Sequence, residues 1–549
     1  MFSYVVRSPT PIVLLALLAC LGVEAAPPAK QSPQLDPTPV GGVSEVTLGG
    51  LTYRHHGLVG VGVLPADTLD RRGDTLGSFS SFKIDPATWR RLPDGSYAGT
   101  LYTLPDRGYN VAGVIDYPAR LQKFALTFRP DATSLKVGQD QLTLKLEDTI
   151  TLRDFQGSTT TGLSPVGATL GDYSPIPTAS GRLAVDAEGL ALAADGSFYV
   201  SEEYGPMIYR FDRAGRMSGV ITPVPAFLPR FKRGSGQAGF ATGPAAAAAQ
   251  TGGRRENQGL EALDVTPDGR YLVAMLQSST VQDSPGGHEF NRAYSRLVIY
   301  DLKAGATPAR PCEHYLVELP VYCSRGDGGV PDKTAHQSEL IALSRTTFLV
   351  LTRDSNGNGS GRSACAAGGV GHAENPLVYK NVALVSTAGA TNLAGTIYET
   401  THAPAVTGAL AASHPLRLAP VAGLVAARTT DFVNLLNVGQ LARFGLNLKV
   451  VGSSGAVLAG RPDLALDAHS LSEKWEALTL VSCLDPANPD DYFLLVGNDN
   501  DFITSHGKML GQPYDAVSKA AGHETVDSPN RILVHRVTLP GLPPVPASR

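Results

Sequence analysis

The chain has 549 residues, with 46 Lys+Arg against 50 Asp+Glu and a formal net charge of −4. So small a charge argues against nucleic acid or an anionic membrane as a partner. With Gly 59 and Pro 40 and little helical periodicity, the composition points to an all-β, loop-rich protein.

The first element is a secretory signal peptide over residues 1–26. Arg7 is followed by an apolar run from Ile12 to Leu21, and small residues stand at Ala25 and Ala26. That run is too short for a membrane span, and no later stretch reaches the roughly 18 apolar residues a span needs. The expected product is therefore a secreted, extracellular protein, read as a monomer. A Pro-rich leader over 27–41 is expected to be flexible. A single domain should occupy 42–538, and a Pro-rich tail 539–549.

Within that domain a strand–turn–strand phrase recurs. Ser78 to Ile84 is followed by Pro93-Asp94-Gly95 and then Gly99 to Leu104. Glu188 to Leu192 is followed by Ala194-Asp195-Gly196 and Ser197 to Val200. Leu260 to Leu263 precedes Pro267-Asp268-Gly269 and Tyr271 to Ala274. Ser338 to Leu343 precedes Thr347 to Leu351, and Trp475 to Leu480 precedes Asp491 to Val496. Apolar runs joined by Asp-Gly turns read as hairpins. Four of the five open on a glutamate: Glu188, Glu261, Glu339 and Glu476. In the first, serine takes its place.

The first three glutamates are about 75 residues apart and the fourth follows after about twice that, against roughly 40–50 residues for common propeller repeats. The prediction is an all-β, six-bladed β-propeller with long inter-strand loops, its sixth blade hidden between Glu339 and Glu476. Cys312, Cys323, Cys365 and Cys483 follow the signal peptide. Pairs Cys312–Cys323 and Cys365–Cys483 are expected in an oxidising compartment, the other connectivities remaining open.

After the second strand of most units comes an acidic loop. These are Asp106-Arg107, Glu202-Glu203, Arg353-Asp354 and Asn498-Asp499-Asn500-Asp501; the third unit has Gln277-Ser278-Ser279. A propeller would bring these loops and the four glutamates to one face. At about 6 Å and an effective dielectric near 20, each carboxylate pair would cost on the order of 3 kcal/mol. A bound cation, protonation or nearby donors must offset that. Oxygen ligands favour a hard cation such as calcium. Each glutamate could instead cap the backbone of the next blade.

Asp354 to Gly359 opens like an EF-hand loop, but Cys365 stands where the closing glutamate is required, and a strand rather than a helix precedes it. Arg107 and Arg353 could fork onto a phosphate, or pair with a neighbouring carboxylate. Lys474, beside Glu476, has the same ambiguity. His336, His372 and His506 lie in or near these loops. No Gly-x-Ser-x-Gly nucleophile motif is present.

The phrases Asp186 to Ala191, Tyr199 to Pro206, Asn257 to Leu263 and Leu349 to Asp354 together resemble the phytase-like domain family, also described as having esterase-like activity of phytase. The resemblance runs from about Gly42 to Val537. It implies a secreted, β-propeller-like protein acting on a small-molecule phosphoester or ester. On that footing Glu203, Asp354 and Asp499 are the catalytic candidates, and Arg107 and Arg353 would bind substrate. Glu188, Glu261, Glu339 and Glu476 would hold the metal, Ca2+. A lactonase or other esterase on a metal-centred propeller is the alternative, and a non-enzymatic binding propeller with structural calcium the third reading.

Overall fold

A computed structural model describes residues 35–109, 113–167, 175–324, 329–358, 377–411, 417–448, 467–517 and 527–542. The signal peptide, Cys365, His372 and most of the tail lie outside these residues.

All five predicted hairpins form, and each supplies the two innermost strands of an antiparallel blade, four-stranded in blades 1 to 4 and five-stranded in blade 5. Blade 1 runs outward through Ser81–Ile84, Tyr97–Leu104, Arg120–Phe128 and Leu142–Thr151. Blade 2 is Ala187–Leu192, Phe198–Glu202, Ile208–Phe211 and Met217–Ile221. Blade 3 is Leu260–Val265, Tyr271–Leu276, Tyr294–Asp301 and Glu313–Glu318. Blade 4 is His336–Ala342, Thr347–Arg353, Lys380–Ser386 and Ala427–Asn434. Blade 5 mixes both ends of the chain: Lys474–Ser482, Asp491–Asp499 and Asn530–Thr538 are completed by Leu51–Leu64 and Ser44–Leu48. Blades 3 and 4 also touch at their outer edges, where Val317 and Glu318 pair in parallel with Ala427 and Arg428.

The five inner strands pack in a closed ring, with blade 5 returning against blade 1. The propeller formed by the described residues therefore has five blades, not the six expected. The interval between Glu339 and Glu476 supplies the outer half of blade 4, a small hairpin (Thr407–Leu410 with Leu418–Pro420) and the helix Val438–Arg443.

Five apolar clusters fill the five blade–blade interfaces. Blade 3 shows how. Leu272, Ala274 and Leu276 face blade 2, and Tyr271, Val273 and Met275 face blade 4. Alternate side chains point to opposite faces and both faces are covered, so these strands read as unbroken apolar runs.

The expected Cys312–Cys323 disulfide does not form. The extended strand Glu313–Glu318 separates the two, and at about 3.3 Å per residue it carries them apart. Cys312 Sγ instead donates to the Ile299 carbonyl. Cys483 is buried in the interface of blades 5 and 1. The end of the leader is tied down: Asp36 N–H bonds the Leu436 carbonyl at 3.1 Å, and Asn437 Nδ2 bonds the Asp36 carboxylate at 3.0 Å.

Ring closure depends on strand Asn530–Thr538, held between Asp491–Asp499 and Leu51–Leu64. Leu533 there is fully buried. Leu533→Ala should cost about 2–5 kcal/mol and lower the urea midpoint in one cooperative transition. A separate early transition would show that closure is not coupled to the rest of the ring.

Candidate functional site

The loops that enter the inner strands and those that leave the second strands surround a cavity of about 440 Å³. Its lining includes nine carboxylates, among them Asp186, Glu188, Glu203, Glu261, Glu473 and Glu476, against five lysines and arginines.

A β-bulge aims the glutamates. Pairing between the two inner strands slips between Ala187 and Leu190, between Leu260 and Ala262, and between Trp475 and Ala477. Glu188, Glu261 and Glu476 sit at those slips, and an extra residue in one strand turns its side chain out of the regular alternation. In blade 4 the slip lies between Gln337 and Glu339, so the bulged residue is Ser338. Glu339 pairs with Leu351 as Ala262 pairs with Met275. It is one position deeper than its apparent counterparts and does not line the cavity. Blade 1, which has serine in place of glutamate, has no slip in this pairing.

Two glycines let the backbones close on the site. A Cβ on Gly189 would lie 2.8 Å from the Glu261 carbonyl oxygen, and one on Gly259 would lie 2.4 Å from Glu203 Cα. Gly259 N–H donates to Glu203 Oε1 at 3.1 Å.

Three of the acidic groups are neutralised by lysine. Lys380 Nζ lies 2.6 Å from Asp354, whose carboxylate also accepts the N–H groups of Val378 and Tyr379. Asp354 is fully buried outside the cavity lining, with the Lys380 ammonium group against its carboxylate. Lys474 Nζ lies 2.9 Å from Asp499 and 3.0 Å from Asp501, which gather with Asp106. Lys83 Nζ lies 3.8 Å from Glu339 and 3.5 Å from Asp264. Glu339 also accepts from Ser81, Leu263 N–H and Leu340 N–H. Glu202, next to Glu203 but facing away from the cavity, accepts the N–H groups of Tyr204, Gly205 and Met207.

The remaining group has no lysine. One carboxylate oxygen each from Asp186, Glu188 and Glu203 lies within 4.8 Å of the others. Arg107 reaches Asp186 Oδ2 at 2.6 Å, but Asp186 Oδ1 is buried without a partner. Among the described residues no basic side chain or backbone N–H reaches the carboxylate of Glu188 or Glu261. Burial, with Glu261 and Glu203 nearby, holds the Glu188 carboxyl well above the usual range, and burial with Glu203 and Glu476 does the same for Glu261. Ligands of a calcium ion lie at about 2.3–2.6 Å, so oxygens that share one can be up to about 5 Å apart. The donor set, its spacing and the orphaned oxygen fit a hard cation.

Of the residues singled out from sequence, Glu188, Glu203, Glu261, Glu476, Arg107 and Arg353 line the cavity. Arg353 pairs with Glu476, and its Nε donates to Ser338 Oγ at 3.0 Å. Asp354 and Glu339 do not line it, and Asp499 stands behind Lys474. Sequence reasoning missed Asp186 and Glu473. Asp186 stands two residues before Glu188, where the chain enters the inner strand of blade 2. His336 also lines the cavity. Its Nε2 has no partner, and burial beside Arg292 and Arg353 keeps the ring neutral, its pKa pushed down to about 3. His506 bonds Ser505 Oγ away from the cavity.

A family model described as phytase-like, esterase-like activity of phytase, matches residues 75–431. A protein of Arthroderma benhamiae named as an uncharacterized secreted protein is 33% identical over 499 residues, covering 85% of this chain and 90% of that one. The chain belongs to the phytase-like family. It also overlaps an oxidoreductase (glucose dehydrogenase) of Thermus thermophilus, at TM-score 0.25 and 11% identity, over 87% of this chain and 99% of that one. The WD40 domain of Neurospora crassa Pan2 gives TM-score 0.25 and 8% identity over 89% and 96%. Neither overlap is close enough to bear on activity, and the propeller rests on the strand topology above. No helix among the described residues is long and apolar enough to cross a membrane.

The buried carboxyls set the pH dependence of stability. Their usual value is 4.5; burial raises Glu339 to about 7, and raises Glu202 and Glu473 to about 8. Between those values the folded chain binds more protons than the unfolded chain. This stabilisation is full below pH 4.5 and is lost as pH rises through 7 to 8. In chelator, the melting temperature should fall on the order of 5 °C from pH 5 to pH 8. A flat profile would contradict the protonated state of these carboxyls.

Proposed function

We propose, from membership of the phytase-like family and the geometry of this cavity, that the protein is a secreted, calcium-dependent phosphoric ester hydrolase. The observation that carries the reading is the group Asp186, Glu188 and Glu203, buried together with an orphaned oxygen and no lysine, with Glu261 beside it. Asp186 Oδ1, Glu188 and Glu203 would hold Ca2+, which when bound supplies charge neutralisation for phosphate and a more acidic water.

The protein side chains have separable tasks. Glu261, with its pKa raised by burial and no basic side chain attached, is suited to exchange a proton with the attacking water or the leaving oxygen. Arg107 and Arg353 stand at the cavity wall, each held in place by one carboxylate, Asp186 and Glu476. Arg107 keeps further N–H donors, Nε among them, with which to orient an oxyanion, whereas Arg353 also bonds Ser338, Asp354 and Ser355 and keeps one N–H on Nη2. Asn257 fixes the other edge of Arg107 through a 2.6 Å bond from Nη2. Asp354, Asp499 and Glu339, each tied to a lysine, maintain the frame rather than touch substrate.

The test is phosphate release from phytate and from a generic phosphomonoester by the purified full chain, with calcium and with chelator. Calcium-dependent release should drop about 10²–10⁴-fold in Glu261→Gln, with the circular dichroism spectrum and melting temperature retained. Turnover of lactones with no phosphate release would move the assignment to a lactonase. Calcium-dependent melting with no turnover of any ester would leave a binding propeller.

A further inference from the structure

Beside the acidic cavity lies a second one of about 340 Å³ that shares Gln258 and Arg292 with it. Its charged lining is Arg255, Arg292 and Glu256. Both arginines belong to blade 3: Arg255 lies in the segment entering the inner strand, and Arg292 in the connection from the second strand to the third. The two guanidinium groups hang on one short loop. Arg255 Nη2 donates to the Ser284 carbonyl at 3.2 Å and to Ser284 Oγ, and Arg292 Nη2 donates to the Gly287 carbonyl at 3.4 Å.

Neither arginine has a carboxylate partner among the described residues, and the Nε of each is buried with no hydrogen-bond acceptor. The acids nearby are engaged elsewhere. Glu256 accepts Gly243 N–H at 2.8 Å, Glu289 pairs with Lys333, and Asp283 holds Arg296 through bonds of 2.8 and 3.0 Å. Burial and the adjacent Arg292 lower the Arg255 guanidinium from its ordinary value. Two like charges, part-desolvated and unpaired, are costly unless an anion completes the arrangement. Arg107 and Arg353, by contrast, each already hold one carboxylate.

We propose that Arg255 and Arg292 form a phosphate-binding subsite at the mouth of the acidic cavity, taking a phosphate group of the substrate, or the released phosphate, beside the carboxylate centre. Planar guanidinium forks match the paired oxygens of a phosphate, and the unfilled Nε and Nη1 edges supply them. The volume is large enough for a phosphorylated organic ring rather than a bare ion. Assigning the anion to substrate rests on the hydrolase reading; anion binding itself does not.

The experiment is titration calorimetry of inorganic phosphate into the full chain, once in chelator and once with calcium. The variants are Arg255→Gln, Arg292→Gln and the double variant. Arg345→Gln, an exposed arginine paired with Glu313, is the control. Each single variant should weaken phosphate binding about tenfold or more in chelator, and Arg292→Lys should restore only part of it because the fork is lost. Retained melting temperature separates loss of binding from loss of fold. Phosphate binding by the wild type with no turnover of any ester would support the subsite and sink the hydrolase reading. Turnover with an unchanged KM in the double variant would sink the subsite and leave the hydrolase reading standing. So would a wild-type chain that binds no phosphate.

Discussion

A carboxylate taken out of water must be given a counter-charge, a proton or a set of donors, and that requirement organises the centre of this propeller. Five inner strands converge, and the acids they and their loops carry are too close and too buried to stay ionised unaided. At three places a lysine supplies the charge: Lys380 for Asp354, Lys474 for Asp499 and Asp501, and Lys83 for Glu339. At Glu202 three backbone N–H groups donate instead, and burial still raises its pKa to about 8. The group around Glu188 has neither, apart from Arg107 on one oxygen of Asp186 and a single N–H on Glu203. That imbalance sets it apart from the lysine-paired acids of the same centre.

The local backbone makes this arrangement possible. A bulge near the start of the inner strand in blades 2, 3 and 5 points one glutamate into the cavity while the following residues return to the regular alternation and fill the blade interfaces. Thus Glu261 faces the cavity, Ala262 packs toward blade 4 and Leu263 toward blade 2. Stability and site chemistry are divided within three consecutive residues. The glycines beside Glu188 and before Leu260 are part of the same construction, since a Cβ at either would strike the neighbouring blade.

Much of the architecture was legible in sequence because the blades are covered on both faces. Apolar runs such as Tyr271 to Ala274, preceded by the Asp268-Gly269 turn, marked the hairpins. The blade count was not, because the period was inferred from glutamate spacing, and the described residues of the long interval before Glu476 form the outer strands of blade 4, a small hairpin and a short helix rather than a further blade. The same reliance on glutamate spacing misaligned Glu339. The pattern of residues cannot show where a bulge falls, and only the pairing register reveals that Ser338, not Glu339, occupies the bulged place. Asp354 resembled a calcium ligand because its loop sequence does not disclose a lysine arriving from the next strand, 26 residues on. Arg107 and Arg353, singled out as possible phosphate ligands, do line the cavity. Arg255 and Arg292 went unmarked because nothing in their local sequence indicates that neither finds a carboxylate.

The central claim is that Glu188 holds a proton in the absence of a cation and exchanges it for one. Calorimetric titration of calcium into the chelator-stripped full chain at pH 7, repeated in buffers of different ionisation heat, measures this directly. The account predicts saturable binding with a buffer-dependent heat showing proton release, weakened in Glu188→Gln. No binding, or binding with no proton release, would contradict it.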